Sequence, residues 1–172
     1  MSIEFDYISE EYTHLINKFD CGNEDVNDFL RDHALELHDC KYCITKLFFK
    51  DDSLVGFIST RLGEVSVNRT HIDRLGLIDR VPRTAFYSRS FPIVHIQFLG
   101  VDLNYKRLGI ARDAISEVQK LAYNIVNDFG CNFVYLESYL TEEAMSLYTS
   151  LGFKEIDRDE SINTAKMLFS IV

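Results

Sequence analysis

The chain has no apolar run long enough to cross a bilayer, and it contains only two prolines. No repeat, low-complexity tract or Pro/Gly/Ser-rich linker divides its 172 residues. Hydrophobic residues make up 47% and charged residues 26%, which is the composition of a globular protein rather than a disordered one. We therefore expect one domain over residues 1–172, with a core large enough to be stable without disulfides or a structural metal.

Cysteine is also scarce. The four cysteines are too few and too scattered for a disulfide framework; they are Cys21, Cys40, Cys43 and Cys131. Cys40 and Cys43 form the single Cys-x-x-Cys pair, and a zinc site could be drawn with His33 and His38. Because no second Cys-x-x-Cys pair is present and the spacing is unlike the usual fingers, we expect no metal.

Positive charge is in short supply. Eighteen Lys and Arg residues against 27 Asp and Glu give a net charge of -9, which argues against nonspecific binding to nucleic acid or anionic lipid. The first residues lack the basic and apolar regions of a secretory signal. We expect a cytoplasmic protein that binds no membrane, and nucleic acid is not an expected partner on charge alone.

The apolar spacing predicts a mixed α/β order. The predicted helices are 23–37, 72–78, 109–128 and 141–151, and the predicted strands are 42–49, 54–61, 93–101, 132–138 and 164–171. The buried side of the long helix is predicted to comprise Ile110, Ala114, Ile115, Val118, Leu121, Ala122 and Ile125. Strand, long helix and strand form a right-handed parallel crossover in a largely antiparallel sheet.

A stretch of mixed character at about 63–92 reads as an insertion. It carries more arginine than acid, at Arg69, Arg74, Arg80, Arg83 and Arg89 against Asp73 and Asp79. Such a charged run is usually a solvated surface. The alternative is a docking surface for an anionic substrate.

The segment after the central strand carries the chemistry. Leu99-Gly100-Val101-Asp102 leads through Lys106-Arg107-Leu108-Gly109-Ile110-Ala111-Arg112 into the long helix. Backbone N–H groups at a helix start have no partner within the helix, and the helix dipole is positive there, so they can bind a pyrophosphate. Gly109 and Ala111 let phosphate oxygens approach, and the basic side chains add countercharge. Neither a Walker loop nor the three-glycine dinucleotide fingerprint is present.

Two motifs resemble the GNAT family of N-acetyltransferases. Lys106 to Ala111 is similar to its acetyl-coenzyme A signature, [Gln/Arg]-x-x-Gly-x-[Gly/Ala], with Lys106 departing from the usual Gln or Arg. The block Ala144-Met145-Ser146-Leu147-Tyr148, followed by Leu151-Gly152-Phe153, is the more specific match. The resemblance covers about Leu54 to Val172. It implies a central mixed, mostly antiparallel sheet with one parallel, splayed strand pair, flanked by helices.

The resemblance also implies a site. The cofactor-binding residues would be Leu99, Gly100, Val101, Lys106, Arg107, Leu108, Gly109, Ile110, Ala111, Arg112 and Thr141, with backbone N–H groups near 99–101 holding the acetyl carbonyl. Tyr148 takes the position of the acid that protonates the leaving sulfur. Glu137 resembles a catalytic glutamate of some members, and its alternatives are an ammonium anchor or a solvated carboxylate. Thr141 either contacts the cofactor or caps a helix.

The implied function is acetyl-CoA-dependent transfer of an acetyl group to a primary amine of a small molecule, peptide or protein. The opening Phe19-Asp20-Cys21-Gly22-Asn23 is similar to acetyltransferase toxins that act on charged tRNA, so aminoacyl-tRNA as acceptor, with an antitoxin as partner, is the alternative. A non-catalytic acetyl-CoA-binding module is a further alternative. A homodimer is left open.

Overall fold

A computed structural model describes residues 3–76 and 90–171. The strands in this part of the chain are β1 (Glu4–Tyr7), β2 (Ile44–Lys50), β3 (Ser53–Ser66), β4 (Ser90–Val101), β5 (Phe133–Tyr139), β6 (Lys154–Asp159) and β7 (Thr164–Ser170). The α-helices are α1 (Thr13–Ile16), α2 (Glu24–Asp28), α3 (Ala34–Asp39), α4 (Arg69–Arg74), α5 (Ile110–Phe129) and α6 (Glu142–Ser150). Short 3₁₀ turns cover Glu10–Tyr12 and Leu103–Tyr105, and a π-helical turn, Phe29–His33, joins α2 to α3.

The strands form one sheet in the order β1-β2-β3-β4-β5-β7-β6. β4 and β5 are the parallel pair, and the rest is mostly antiparallel, so the predicted fold class is confirmed. The β2–β3 hairpin turns at Asp51 and Asp52, both with positive φ, as the two-residue turn of a twisted hairpin requires.

The chain divides into two compact units, and the first combines Met1–Arg61 with Ile96–Ile115. The predicted helix over 23–37 is present as α2, the π turn and α3. Its apolar side is buried: Phe29 stacks on Phe98 with ring centroids 3.8 Å apart and also faces Phe57. This aromatic stack packs the helical segment against the sheet within the first unit.

The second unit combines Leu62–His95 with Ser116–Val172. Its core joins Ile72 of α4 to side chains of β4, β5, β6 and β7; the buried members are Val67, Ile72, Leu75, Phe91, Ile93, Phe133, Tyr135, Ile156 and Leu168. β5 pairs with β7 over its whole length, from Phe133 opposite Ser170 to Tyr139 opposite Thr164. The single domain predicted for residues 1–172 stays a prediction.

Several sequence expectations need correction. The short helix expected at 72–78 begins three residues earlier and ends at Arg74. Leu121, predicted to face the core, is 43% exposed, because Ala114, Ile115, Val118 and Ala122 already fill the buried stripe of α5. β1 and β6 were not predicted from the sequence. Of the helices described, none combines the length and the apolar character needed to span a membrane.

Gly100 in β4 allows a close contact that can be tested. A Cβ at this position would lie 2.7 Å from Cε1 of Phe57 and 3.2 Å from Cζ of Phe19, both buried rings. We expect Gly100→Ala to lower the free energy of unfolding by about 1–3 kcal/mol, because the rings must shift.

Gly63→Ala in β3 is the matched control, since its Cβ would meet Ile93 at an ordinary 3.7 Å. Its stability should equal or slightly exceed that of the wild type. Urea unfolding of both variants is the measurement, and equal midpoints would contradict the contact at Gly100.

Candidate active site

The segment between β4 and α5 presents its backbone to solvent. Residues 106–109 are exposed, and φ changes sign along them, from -60° at Lys106 to +64° at Arg107 and +85° at Gly109. The N–H groups of residues 106–111 donate no hydrogen bond to any described residue. Alternating backbone of this kind forms a concave nest of N–H groups, which binds anions.

The start of α5 adds features that favour an anion at this loop. Ile110 opens a helix of 20 residues, whose dipole is positive at this end. Lys106, Arg107 and Arg112 are exposed around it, and a Cβ at Gly109 would meet no atom within 4 Å. The loop therefore has open space, unpaired N–H donors and positive charge in one place, which is what a pyrophosphate needs.

The end of β4 leads into this loop through Leu99, Gly100 and Val101. Gly100 is buried, and the Cβ position of Gly56 lies 2.9 Å from the carbonyl oxygen of Gly100. Both glycines thus have a packing reason within the first unit. That the N–H groups of 99–101 hold an acetyl carbonyl stays a prediction.

Tyr148 lies in the last turn of α6. Its ring is half-buried and packs edge-on against Phe153, with centroids 6.0 Å apart. Burial raises the pKa of the Tyr148 hydroxyl to about 12. No hydrogen bond joins this hydroxyl to a described residue. A phenol in this state stays protonated and can donate its proton to a new acceptor.

Glu137 projects from β5 into solvent. Its Oε1 accepts a hydrogen bond from the buried Tyr135 hydroxyl at 2.6 Å. Burial, then the hydrogen bond and charge of Glu137, raise the pKa of Tyr135 well above its usual value. Lys166 lies opposite Glu137 on β7 but pairs with Asp157. Glu137 is therefore a carboxylate fixed at one oxygen, with no ion pair to a described residue.

The sequence profile of the acetyltransferase (GNAT) family matches residues 6–153, most of the chain. The chain belongs to the GNAT family. Acetyl-CoA is the acetyl donor of this family, and the protein is an acetyltransferase.

Similar solved structures include GNAT toxins. AtaT complexed with acetyl-methionyl-tRNAfMet is 19% identical, with a TM-score of 0.76 over 98% of this chain and 95% of that one. A Tyr-to-Phe variant of KacT is 20% identical, with a TM-score of 0.76 over 99% and 96%. A Tyr-to-Phe variant of AtaT bound to the C-terminus of the antitoxin AtaR and acetyl-CoA is 17% identical, with a TM-score of 0.71 over 99% and 94%. At these identities the likeness shows the fold.

The structure divides the predicted GNAT site residues between the two units. Residues 99–112 are continuous in the first unit, whereas Tyr148, Glu137 and Thr141 belong to the second. Thr141 caps α6, since its side chain accepts the N–H of Ala144 at 3.2 Å. The capping interpretation of Thr141 is confirmed, and its contact with the cofactor stays a prediction.

Part of the arginine-rich insertion lies outside the described residues, including Arg80, Arg83 and Arg89. Arg69 and Arg74 are exposed on α4. Arg74 donates to the carbonyl oxygen of Ile156 at 3.4 Å. A docking role for these arginines stays a prediction.

Cys40 and Cys43 are both free thiols, and they lie in different environments. Cys40 is exposed at the end of α3, whereas Cys43 is buried. His38 accepts the N–H of Thr45 at Nδ1, and burial lowers the pKa of its ring.

Within residues 3–76 and 90–171, no cluster of His, Cys, Asp and Glu could hold a metal ion.

Two features of this GNAT chain were missed by sequence reasoning. Tyr135 holds Glu137, and Asp20 is hydrogen-bonded to Asp102 where β4 ends. A tyrosine and a glutamate two residues apart on one strand lie on the same face, so their spacing could have predicted the hydrogen bond between them. Nothing in the sequence relates Asp20 to Asp102, 82 residues away.

Proposed function

We propose that this GNAT enzyme binds the pyrophosphate of acetyl-CoA on the backbone N–H groups of residues 106–112 and acetylates a primary amine. The observation that carries the proposal is the nest of unpartnered N–H groups before α5. Acetyl-CoA supplies an acetyl group activated as a thioester. The residues present fit it, because the loop is open at Gly109 and bears Lys106 and Arg107.

Tyr148 is the general acid in this proposal. As the acceptor nitrogen bonds to the acetyl carbon and the carbon–sulfur bond breaks, the hydroxyl proton passes to sulfur, giving free coenzyme A. The raised pKa of about 12 keeps that proton in place at neutral pH.

Glu137 acts on the acceptor side. Tyr135 occupies Oε1, and the carboxylate can receive the proton that the amine loses, directly or through water, or hold the amine as its ammonium before attack. Both roles use the same fixed carboxylate, and removing its charge affects either.

The acceptor is a primary amine in both catalytic alternatives. The net charge of -9 favours a small molecule, peptide or protein amine over a polyanion. The likeness to AtaT bound to acetyl-methionyl-tRNAfMet favours the α-amino group of aminoacyl-tRNA, and with it an antitoxin partner. A module without turnover is the weakest reading, because Tyr148 is present and protonated.

We propose a cytoplasmic location; four scattered cysteines, too few for a disulfide framework, suit a reducing compartment. A homodimer is retained as an alternative within this proposal.

The loop proposal predicts that two glycines, one at each end of α5, have the same effect on stability but different effects on acetyl-CoA binding. Gly109 and Gly130 both have left-handed φ, +85° and +65°, and open space at Cβ. Alanine at either position should cost about 1 kcal/mol of stability through the same backbone strain. Only Gly109→Ala should weaken acetyl-CoA binding, by about tenfold or more, because its Cβ lies where phosphate approaches. Calorimetry decides, and equal affinities would place the phosphate site elsewhere.

Tyr148→Phe should leave the affinity for acetyl-CoA unchanged and lower kcat by about a hundredfold or more, since only the donated proton is lost. With a pKa of about 12, Tyr148 stays protonated below about pH 10, so the wild-type to variant ratio should be constant from about pH 6 to pH 10. Tyr139→Phe, at an exposed position of β5, is the control and should keep the wild-type rate. An unchanged kcat for Tyr148→Phe under chemistry-limited conditions would remove Tyr148 from the mechanism.

Salt dependence separates the acceptor classes. An aminoacyl-tRNA acceptor that makes four phosphate contacts should bind about a hundredfold more weakly at 200 mM than at 50 mM salt. A peptide with a free N-terminal amine should show only a weak effect. Because acetyl-CoA is itself an anion, its affinity is measured at both salt concentrations, so that the effect of salt on cofactor binding can be subtracted from the effect on the acceptor. Efficient acetylation of bulk aminoacyl-tRNA with a steep salt response would establish the tRNA reading and exclude the small-amine one.

A further inference from the structure

Two loops far apart in the sequence are joined where β4 ends. The N–H of Asp20 donates to Oδ2 of Asp102 at 3.2 Å, and the N–H of Leu103 donates to the carbonyl oxygen of Asp20 at 2.8 Å. We call this pair of hydrogen bonds the Asp20–Asp102 clasp. It lies wholly within the first unit.

Asp102 is fixed on its other side as well. Its Oδ1 accepts both the N–H and the side-chain amide of Asn104, at 2.9 and 3.0 Å, and its own N–H donates to Val55 of β3. Asp102 is buried, so its charge is balanced by N–H donors rather than by water. The carboxylate thus sets the first turn of the chain after β4.

Asp20 is fixed in a similar way. Its Oδ1 accepts the N–H of Gly22 at 2.8 Å and the side-chain amide of Asn27 at 2.9 Å, and these two bonds hold the pKa of Asp20 below its usual value. Asn27, buried in α2, accepts the N–H of Cys21. The side chain of Leu103 lies against Gly22. The segment from Asp20 to Gly22 is therefore a rigid support for the turn at Leu103.

We propose that the Asp20–Asp102 clasp positions the pyrophosphate-binding loop, with Asp20 and Asp102 as positioning residues for acetyl-CoA. The inference rests on the proposed function of that loop. Because residues 106–109 are exposed and donate no backbone hydrogen bond to a described residue, their path depends on the anchors at their two ends. One anchor is α5, and the other is the clasp. A loop held in its binding conformation before the ligand arrives loses less entropy on binding.

The test uses matched substitutions in the full chain. Asp102→Asn keeps Oδ1 for Asn104 but turns an amide donor toward the N–H of Asp20. This removes the side-chain hydrogen bond of the clasp and leaves the local turn. Asp20→Ala removes the Oδ1 that accepts hydrogen bonds from Gly22 and Asn27. Asp20→Asn keeps an accepting oxygen at that place and is the conservative rescue. Asn68→Ala is the control, because it removes a comparable side-chain cap, on the N–H of His71, in the other unit.

Each variant is measured in two ways. Calorimetry gives its affinity for acetyl-CoA, and hydrogen exchange of the ligand-free protein gives the protection of the Leu103 amide. We expect Asp102→Asn and Asp20→Ala to bind about tenfold more weakly, equivalent to about 1.4 kcal/mol, and to lose protection at the amide of Leu103. Asp20→Asn and Asn68→Ala should keep the wild-type affinity.

Wild-type affinity in both clasp variants would overturn the proposal, as would an equal loss in Asn68→Ala. If the wild type itself fails to bind acetyl-CoA, the proposed loop function is wrong and the positioning role falls with it. Faster exchange at Leu103 in Asp102→Asn would then show only that the clasp orders the turn at Leu103, without a role in acetyl-CoA binding.

Discussion

The N–H groups from Lys106 to Ala111 have no acceptor within the described protein, and the junction between β4 and α5 depends on that constraint. Burying such donors unpaired would cost about 1–3 kcal/mol each, which is a reason for residues 106–109 to lie at the surface, as they do, while the side chain of Ile110 enters the core. The left-handed residues Arg107 and Gly109 curve the backbone there. On our proposal the backbone supplies the donors, so we expect Lys106 in place of the family's Gln or Arg to be compatible with anion binding.

An acidic protein can bind an anion at such a site because the two effects act over different distances. Backbone dipoles act at contact, whereas the field of a net charge of -9 is screened beyond about 8 Å at physiological salt. A cofactor with a compact phosphate group therefore senses the loop more than the whole protein. A long polyanion would sense both, so net charge bears on the identity of the acceptor rather than on acetyl-CoA.

The sequence predicted those elements whose side chains are buried in a regular pattern. The predicted bounds of the long helix and of the strand around Ile96 agree with the structure to within a few residues. The two motifs also pointed to the family that the sequence profile shows. β1 and β6 were missed because they are the two edges of the sheet: all of β1 is exposed, and Ile156 is the one fully buried residue of β6. The clasp was missed because hydrogen bonds over 82 residues leave no local pattern.

The chemistry of Tyr148 depends on how α6 ends. The N–H groups of Leu151 and Phe153 donate to the carbonyl oxygen of Tyr148, and the buried Phe153 ring packs against the phenol. The same burial makes Tyr148, with a pKa of about 12, a weaker acid than an ordinary thiol at about 8.5. A completed proton transfer to a free thiolate would therefore run uphill. On our proposal the phenol donates as the carbon–sulfur bond breaks. It then regains, through water, the one proton that the acceptor nitrogen has lost to Glu137, so that no phenolate accumulates.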